Sequence, residues 1–76
     1  MNTIELDVKR LLCPLPVIRA QNKIKELNVG DLLRVTGTDP GMLADIPAWC
    51  RIHGHSVVSV EQNGWEIMIE LKKEAQ

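Results

Sequence analysis

Val58-Ser59-Val60-Glu61-Gln62-Asn63-Gly64-Trp65-Glu66-Ile67-Met68-Ile69-Glu70-Leu71 is the stretch that decides the fold. Asn63-Gly64 is the strongest short hairpin signal, because the tight turn that joins two antiparallel strands needs residues that accept positive φ. With Asn63 and Gly64 as the loop, Val60 is expected to pair with Ile67 and Val58 with Ile69, and Leu71 continues the same side. Both apolar sets then lie on one face. Ser59, Glu61, Glu66 and Glu70 lie on the other. A sheet with one wet face needs a cover over its apolar face.

The chain before the hairpin supplies that cover. Ile4, Leu6 and Val8 alternate with Thr3, Glu5 and Asp7, the period of a half-buried strand. Pro14 and Pro16 open a helix, where a missing N–H costs nothing. At 100° per residue, Val17, Ala20, Ile24 and Leu27 share one stripe, with Arg19, Asn22, Lys23 and Glu26 mostly opposite. Gly30 is the expected stop. Leu32–Thr36 reads as a second strand with Leu33 and Val35 inward and Arg34 outward. Asp39 as N-cap and Pro40 at the first position start a second helix. One face of that helix would hold Met42, Leu43, Ile46, Trp49, Cys50 and His53, and Gly54 would end it. Pro47 predicts a kink or a late start, since it removes a hydrogen bond and crowds the preceding turn. The element order is βαβαββ. The expected architecture is α/β (α+β): a two-layer sandwich, with a four-stranded mixed sheet carrying two helices on one face. Lys72, Lys73 and Glu74 read as a solvated, frayed tail.

Seventy-six residues leave room for one domain, residues 1–76, and not for a core around a large cofactor, so none is expected. Nine Lys/Arg against ten Asp/Glu, a net charge of −1, give no basic field for direct nucleic-acid binding. Two cysteines cannot build a disulfide scaffold. No segment reaches the ~18 apolar residues of a membrane span, and the start of the chain has no signal-peptide pattern. The expectation is a cytoplasmic monomer.

The candidate for chemistry is Leu11-Leu12-Cys13-Pro14-Leu15-Pro16. Cys13 follows the first strand and precedes the first helix. Helix N-terminal N–H groups and the macrodipole favour an anion there, and Lys9 and Arg10 add positive charge. These surroundings lower a thiol pKa and favour the nucleophilic thiolate. Pro14 and Pro16 stiffen the turn. Leu15 and Ile18 fall off the buried stripe, and Leu11 and Leu12 are consecutive apolar residues in a connection, although one of them would plug the end of the core. A reactive sulfur ringed by Leu11, Leu12, Leu15 and Ile18, with Arg19 on the same helix, suits docking to another protein. Against this stands the ordinary reading of a free cysteine as a small buried hydrophobe. That reading fits Cys50, on the apolar face of the second helix. Cys50, His53 and His55 have metal-ligand chemistry, but His55 begins a strand, so convergence is not implied and no metal site is assigned. Trp49 and Trp65 both fall on expected core faces.

Asp7, Cys13-Pro14-x-Pro16, Asp39-Pro40, Asp45-Ile46-Pro47 and Gly54-His55 together resemble the TusA/SirA-like sulfur-carrier family. The resemblance covers about Leu6 to Leu71. It implies the same sandwich and a cysteine, here Cys13, that accepts sulfane sulfur as a persulfide and passes it on. It implies as partners a donor protein (a cysteine desulfurase or rhodanese-like protein) and an acceptor protein serving tRNA thiolation, sulfur oxidation or related sulfur trafficking. One position departs: members commonly carry glycine in a Gly-Leu-x-Cys run, and this chain carries Arg10. The departure motivates an alternative, a non-catalytic interaction or regulatory module of the same fold. A zinc-binding protein is the further alternative.

Overall fold

The structure is a computed structural model that describes residues 2–12 and 14–75. The elements run β1 (Thr3–Val8), α1 (Leu15–Lys25), β2 (Leu32–Gly37), α2 (Met42–His53), β3 (Ser56–Asn63) and β4 (Glu66–Lys72). In space the strands lie β1-β2-β4-β3. β1 runs parallel to β2, and β4 is antiparallel to both β2 and β3. β2 and β3 are therefore parallel to each other, with β4 slotted between them and α2 carrying the chain across. The expected βαβαββ order and mixed sheet are what the structure has.

The strand alternation decides which face is covered. Val8, Leu33, Val35, Ile67, Ile69 and Leu71 are buried and form one cluster with Ala20 and Ile24 of α1 and Met42, Ile46 and Cys50 of α2. Each fully buried aliphatic of this kind contributes roughly 1.5–3 kcal/mol. The opposite face is polar: Arg34 pairs in register with Glu70, and their side chains meet at 3.4 Å.

Several expectations shift by a few residues, each for a local reason. The hairpin loop is Gly64-Trp65 rather than Asn63-Gly64, so Asn63 pairs with Glu66 and Val60 with Ile69. Gly64 has φ +63° and Trp65 is not in the left-handed region, which places glycine at the first position of a type II′ turn. The two-residue slip preserves which side chains share a face, as a one-residue slip would not. It also moves Trp65 off the expected core face to the hairpin tip, where it is 84% exposed. A bulge between Val57 and Ser59 then turns Val58 out to 51% exposure, and Val57 packs on the core in its place.

The helices show similar shifts. α1 ends at Lys25 with Glu26 as C-cap. Gly30, at φ +99°, serves the following loop instead of stopping the helix. α2 starts late, at Met42 with Gly41 as N-cap. The Asp39 carboxylate accepts the Gly41 N–H at 3.2 Å, so it organises the turn before the helix rather than capping it. Pro47 lies inside α2. Its cost of ~3 kcal/mol is offset because Met42, Ile46 and Cys50, spaced four apart, all bury on one stripe. Leu43 and His53, expected on that stripe, are exposed at its margins. Gly54, at φ +80°, ends α2 as expected, and His55 N–H reaches back to the Cys50 carbonyl at 2.8 Å. Among the described residues no helix is long and apolar enough to cross a membrane.

The expected solvated tail is in part the opposite. Lys73 is 7% exposed, and its Nζ donates to the carbonyls of Ile24 at 2.8 Å and Leu27 at 2.7 Å. Its backbone extends the sheet: Lys73 N–H donates to Asp31 O at 3.0 Å, and its carbonyl accepts Gly30 N–H at 2.7 Å.

Candidate functional site

Two prolines and the end of a parallel strand shape the segment around position 13. β1 ends at Val8, and the chain turns at once: Leu11 N–H donates to Val8 O at 3.2 Å, with Lys9 and Arg10 between. Arg10 has φ +72°. Positive φ at the third residue of such a turn is the mark of type II, which normally takes glycine there. The glycine of the Gly-Leu-x-Cys run thus has a steric reason, and this chain forms the turn with arginine instead. Arg10 N–H donates to the Thr38 hydroxyl oxygen at 3.1 Å, tying the loop to the segment after β2. Arg10→Gly is expected to stabilise the protein by roughly 0.5–1 kcal/mol. It removes a left-handed Cβ penalty of about 1–2 kcal/mol, part of which the freer unfolded chain takes back. A Tm rise of a few degrees in calorimetry checks it; a fall in Tm would mean that the arginine side chain holds the loop.

Cys13, the expected nucleophile, lies outside the described residues. The residues flanking it are described. Leu11 packs against the core and is the plug. Leu12 is 71% exposed, and Leu15 and Ile18 are also exposed. Arg19 and Pro14 are exposed, and Pro16 is buried. Pro14 is the N-cap of α1 and Pro16 lies within its first turn, which carries no acidic side chain. Pro14 and Pro16 carry no N–H, and the N–H groups of Leu15 and Ile18 donate to the carbonyls of Leu12 at 2.9 Å and Pro14 at 3.1 Å, so what this helix start offers an anion is the positive end of its dipole, with no acidic side chain in the first turn to oppose it.

The other cysteine is of a different kind. Cys50 is a free thiol with no exposure, and burial pushes its pKa up to about 11. At pH 7 only about one such thiol in ten thousand is ionised, so Cys50 is a packing residue. His53 and His55 stack on the Trp49 ring, with centroids 4.7 and 5.4 Å away. Among the described residues no three His, Cys, Asp or Glu side chains gather in a way that could hold a metal ion.

Two features escaped the sequence reading. The left-handed turn at Arg10 was signalled only by the departure itself. The buried Lys73 had no local signal, because its partners lie 46 and 49 residues away.

Comparison with known proteins adds a second line. A family model described as sulfurtransferase TusA matches residues 4–71. The chain is 39% identical over 62 residues to YrkF of Bacillus subtilis, a protein whose name designates a sulfur carrier. That match takes in 82% of this chain and 34% of the relative, so the chain spans about a third of YrkF. It is 43% identical over 65 residues to a Neisseria meningitidis serogroup A protein with the same designation, covering 84% of this chain and 88% of the relative. It is 37% identical over 70 residues to the sulfur carrier protein TusA of Pseudomonas paraeruginosa, covering 92% and 89%.

Proposed function

The chain belongs to the TusA sulfurtransferase family, and we propose that it is a sulfur carrier that accepts sulfane sulfur on Cys13 as a persulfide and hands it to a partner protein. The observation that carries this reading is the described frame on either side of position 13. An exposed Leu12 precedes it, and a helix start without acidic residues follows it.

The chemistry needs little else. The Cys13 thiolate attacks the outer sulfur of a donor persulfide. One S–S bond forms, the donor's S–S bond breaks, and the donor leaves as a thiolate, so no oxidant is consumed. The α1 N-terminus favours the negative charge before and after this step. A thiolate on the acceptor then takes the outer sulfur in the same way. Arg10, Pro14 and Pro16 shape the loop. Leu12, Leu15 and Ile18 form the docking ring, with Arg19 beside it and Leu11 anchoring it to the core. The donor is a cysteine desulfurase or rhodanese-like protein, and the acceptor serves tRNA thiolation, sulfur oxidation or related trafficking. The carrier works in the cytoplasm as a monomeric single domain.

The test is intact mass after incubation with a desulfurase and cysteine. Wild type and Cys50→Ser are expected to gain one sulfur atom, and Cys13→Ser none. If Cys13→Ser loads as wild type does, the proposal fails and the non-catalytic module takes its place.

A further inference from the structure

At the far end of α1, about 15 Å along the helix from its start, a cavity of about 150 Å³ opens between the C-terminal turns of α1 and α2 and the segment after β4. Among the described residues its lining includes Gln21, Lys25, Trp49, His53, His55 and Lys73, and no Asp or Glu. The Trp49 indole N–H is buried and has no acceptor among the described residues. That N–H has no surface open to water, so the Trp49 ring lines the cavity through its other atoms and serves there as a reporter.

We propose that this cavity is a binding site for a small tetrahedral oxyanion such as sulfate, thiosulfate or phosphate. The donor set fits one. Lys73 uses two of its three N–H bonds on Ile24 and Leu27 carbonyls, which leaves a third. His55 Nδ1 accepts the Glu74 backbone N–H at 3.2 Å, so a neutral His55 carries its proton on Nε2 as a donor. Lys25 and His53 stand on the same lining, and Lys25 is a fixed positive charge. A volume of about 150 Å³ suits a small ion better than a drug-sized molecule, whose pockets run from about 300 Å³ upward.

The electrostatics point the same way. Burial, then the positive charges of Lys73 and His53, lower the His55 pKa, against the opposing pull of the Glu74 carboxylate. A bound anion relieves that crowding, so by linkage it raises the His55 pKa.

The test is a sodium sulfate titration of the ¹⁵N-labelled chain at constant ionic strength, balanced with sodium chloride. The two indole N–H signals are assigned with Trp65→Phe. The Trp49 signal is expected to move saturably, with Trp65 unmoved, and the His55 titration midpoint is expected to rise. The strength of binding is then read on the His55 signal. Lys25→Met, on an exposed position that does not threaten folding, is expected to weaken binding severalfold. No saturable movement of Trp49, or unchanged affinity in Lys25→Met, overturns the proposal. Acetate binding as tightly as sulfate overturns the tetrahedral assignment.

Discussion

Gly37→Ala is expected to lower stability by about 3 kcal/mol, the upper end of the usual cost of overpacking a core. The reason is space, since Gly37 is not among the residues with positive φ. Gly37 ends β2 between Val8 of β1 and Ile67 of β4. A Cβ built there meets Met42 Sδ inside any allowed contact distance and Val8 Cγ2 at 2.9 Å. Val8 and Met42 have no exposure, so neither can swing into solvent. Val8 is also β-branched and stiff. For a domain of this size the loss corresponds to a Tm drop of roughly 12–24 °C. A thermal melt by circular dichroism measures it. Shortening Met42 to alanine alone costs about 2–5 kcal/mol through the cavity it leaves. In the Gly37→Ala/Met42→Ala double variant the two costs should fall well short of their sum, because the new methyl occupies the vacated space. A single-variant Tm within a few degrees of wild type, or simple additivity, would show that the close approach is not what requires glycine.

Lys73→Met is expected to cost about 2–3 kcal/mol although it keeps the length and apolar body of the side chain. The lysine ammonium closes the C-terminal end of α1 by donating to the Ile24 carbonyl, which also accepts the Leu27 N–H at 3.0 Å, and to the Leu27 carbonyl just past the helix. Hydrogen bonds to charged groups are worth about 1.5–3 kcal/mol each. Sparing the ammonium its desolvation returns part of that, which keeps the net below the sum. The negative end of the helix dipole works in the same direction as the lost bonds. Urea denaturation gives the magnitude. Amide exchange gives the location: protection should fall first around the C-terminal end of α1, residues 23–27. Unchanged stability would mean that water caps these carbonyls as well as the lysine does.

The two predictions mark where local reading ends. The Asn63-Gly64 signal located the hairpin, and alternation assigned the faces. Both are properties of residues next to one another, and they survived even a two-residue error in register. The helix-start character of the segment around Cys13 was legible for the same reason, because prolines and a preceding strand act within a few residues. The bulge that turns Val58 outward was not legible, since Val57 and Val58 are equally good candidates until β4 and the helices decide which one packs. Trp65 was misplaced because a single tight-turn slip exchanges a strand position for a loop position.

The sequence by itself determined the element order, the apolar faces, the family resemblance and the separation of Cys13 from Cys50 as candidate nucleophile and packing residue. These rest on periodicity, caps and turn chemistry, which are short-range. The tertiary structure alone decided that β4 lies between β2 and β3, that Gly37 must have no side chain, that Lys73 caps a helix nearly fifty residues away, and that Trp49 sits among two histidines and two lysines. Each of these depends on surfaces that meet only when the chain is folded, and no pattern of neighbouring residues encodes the distance between them.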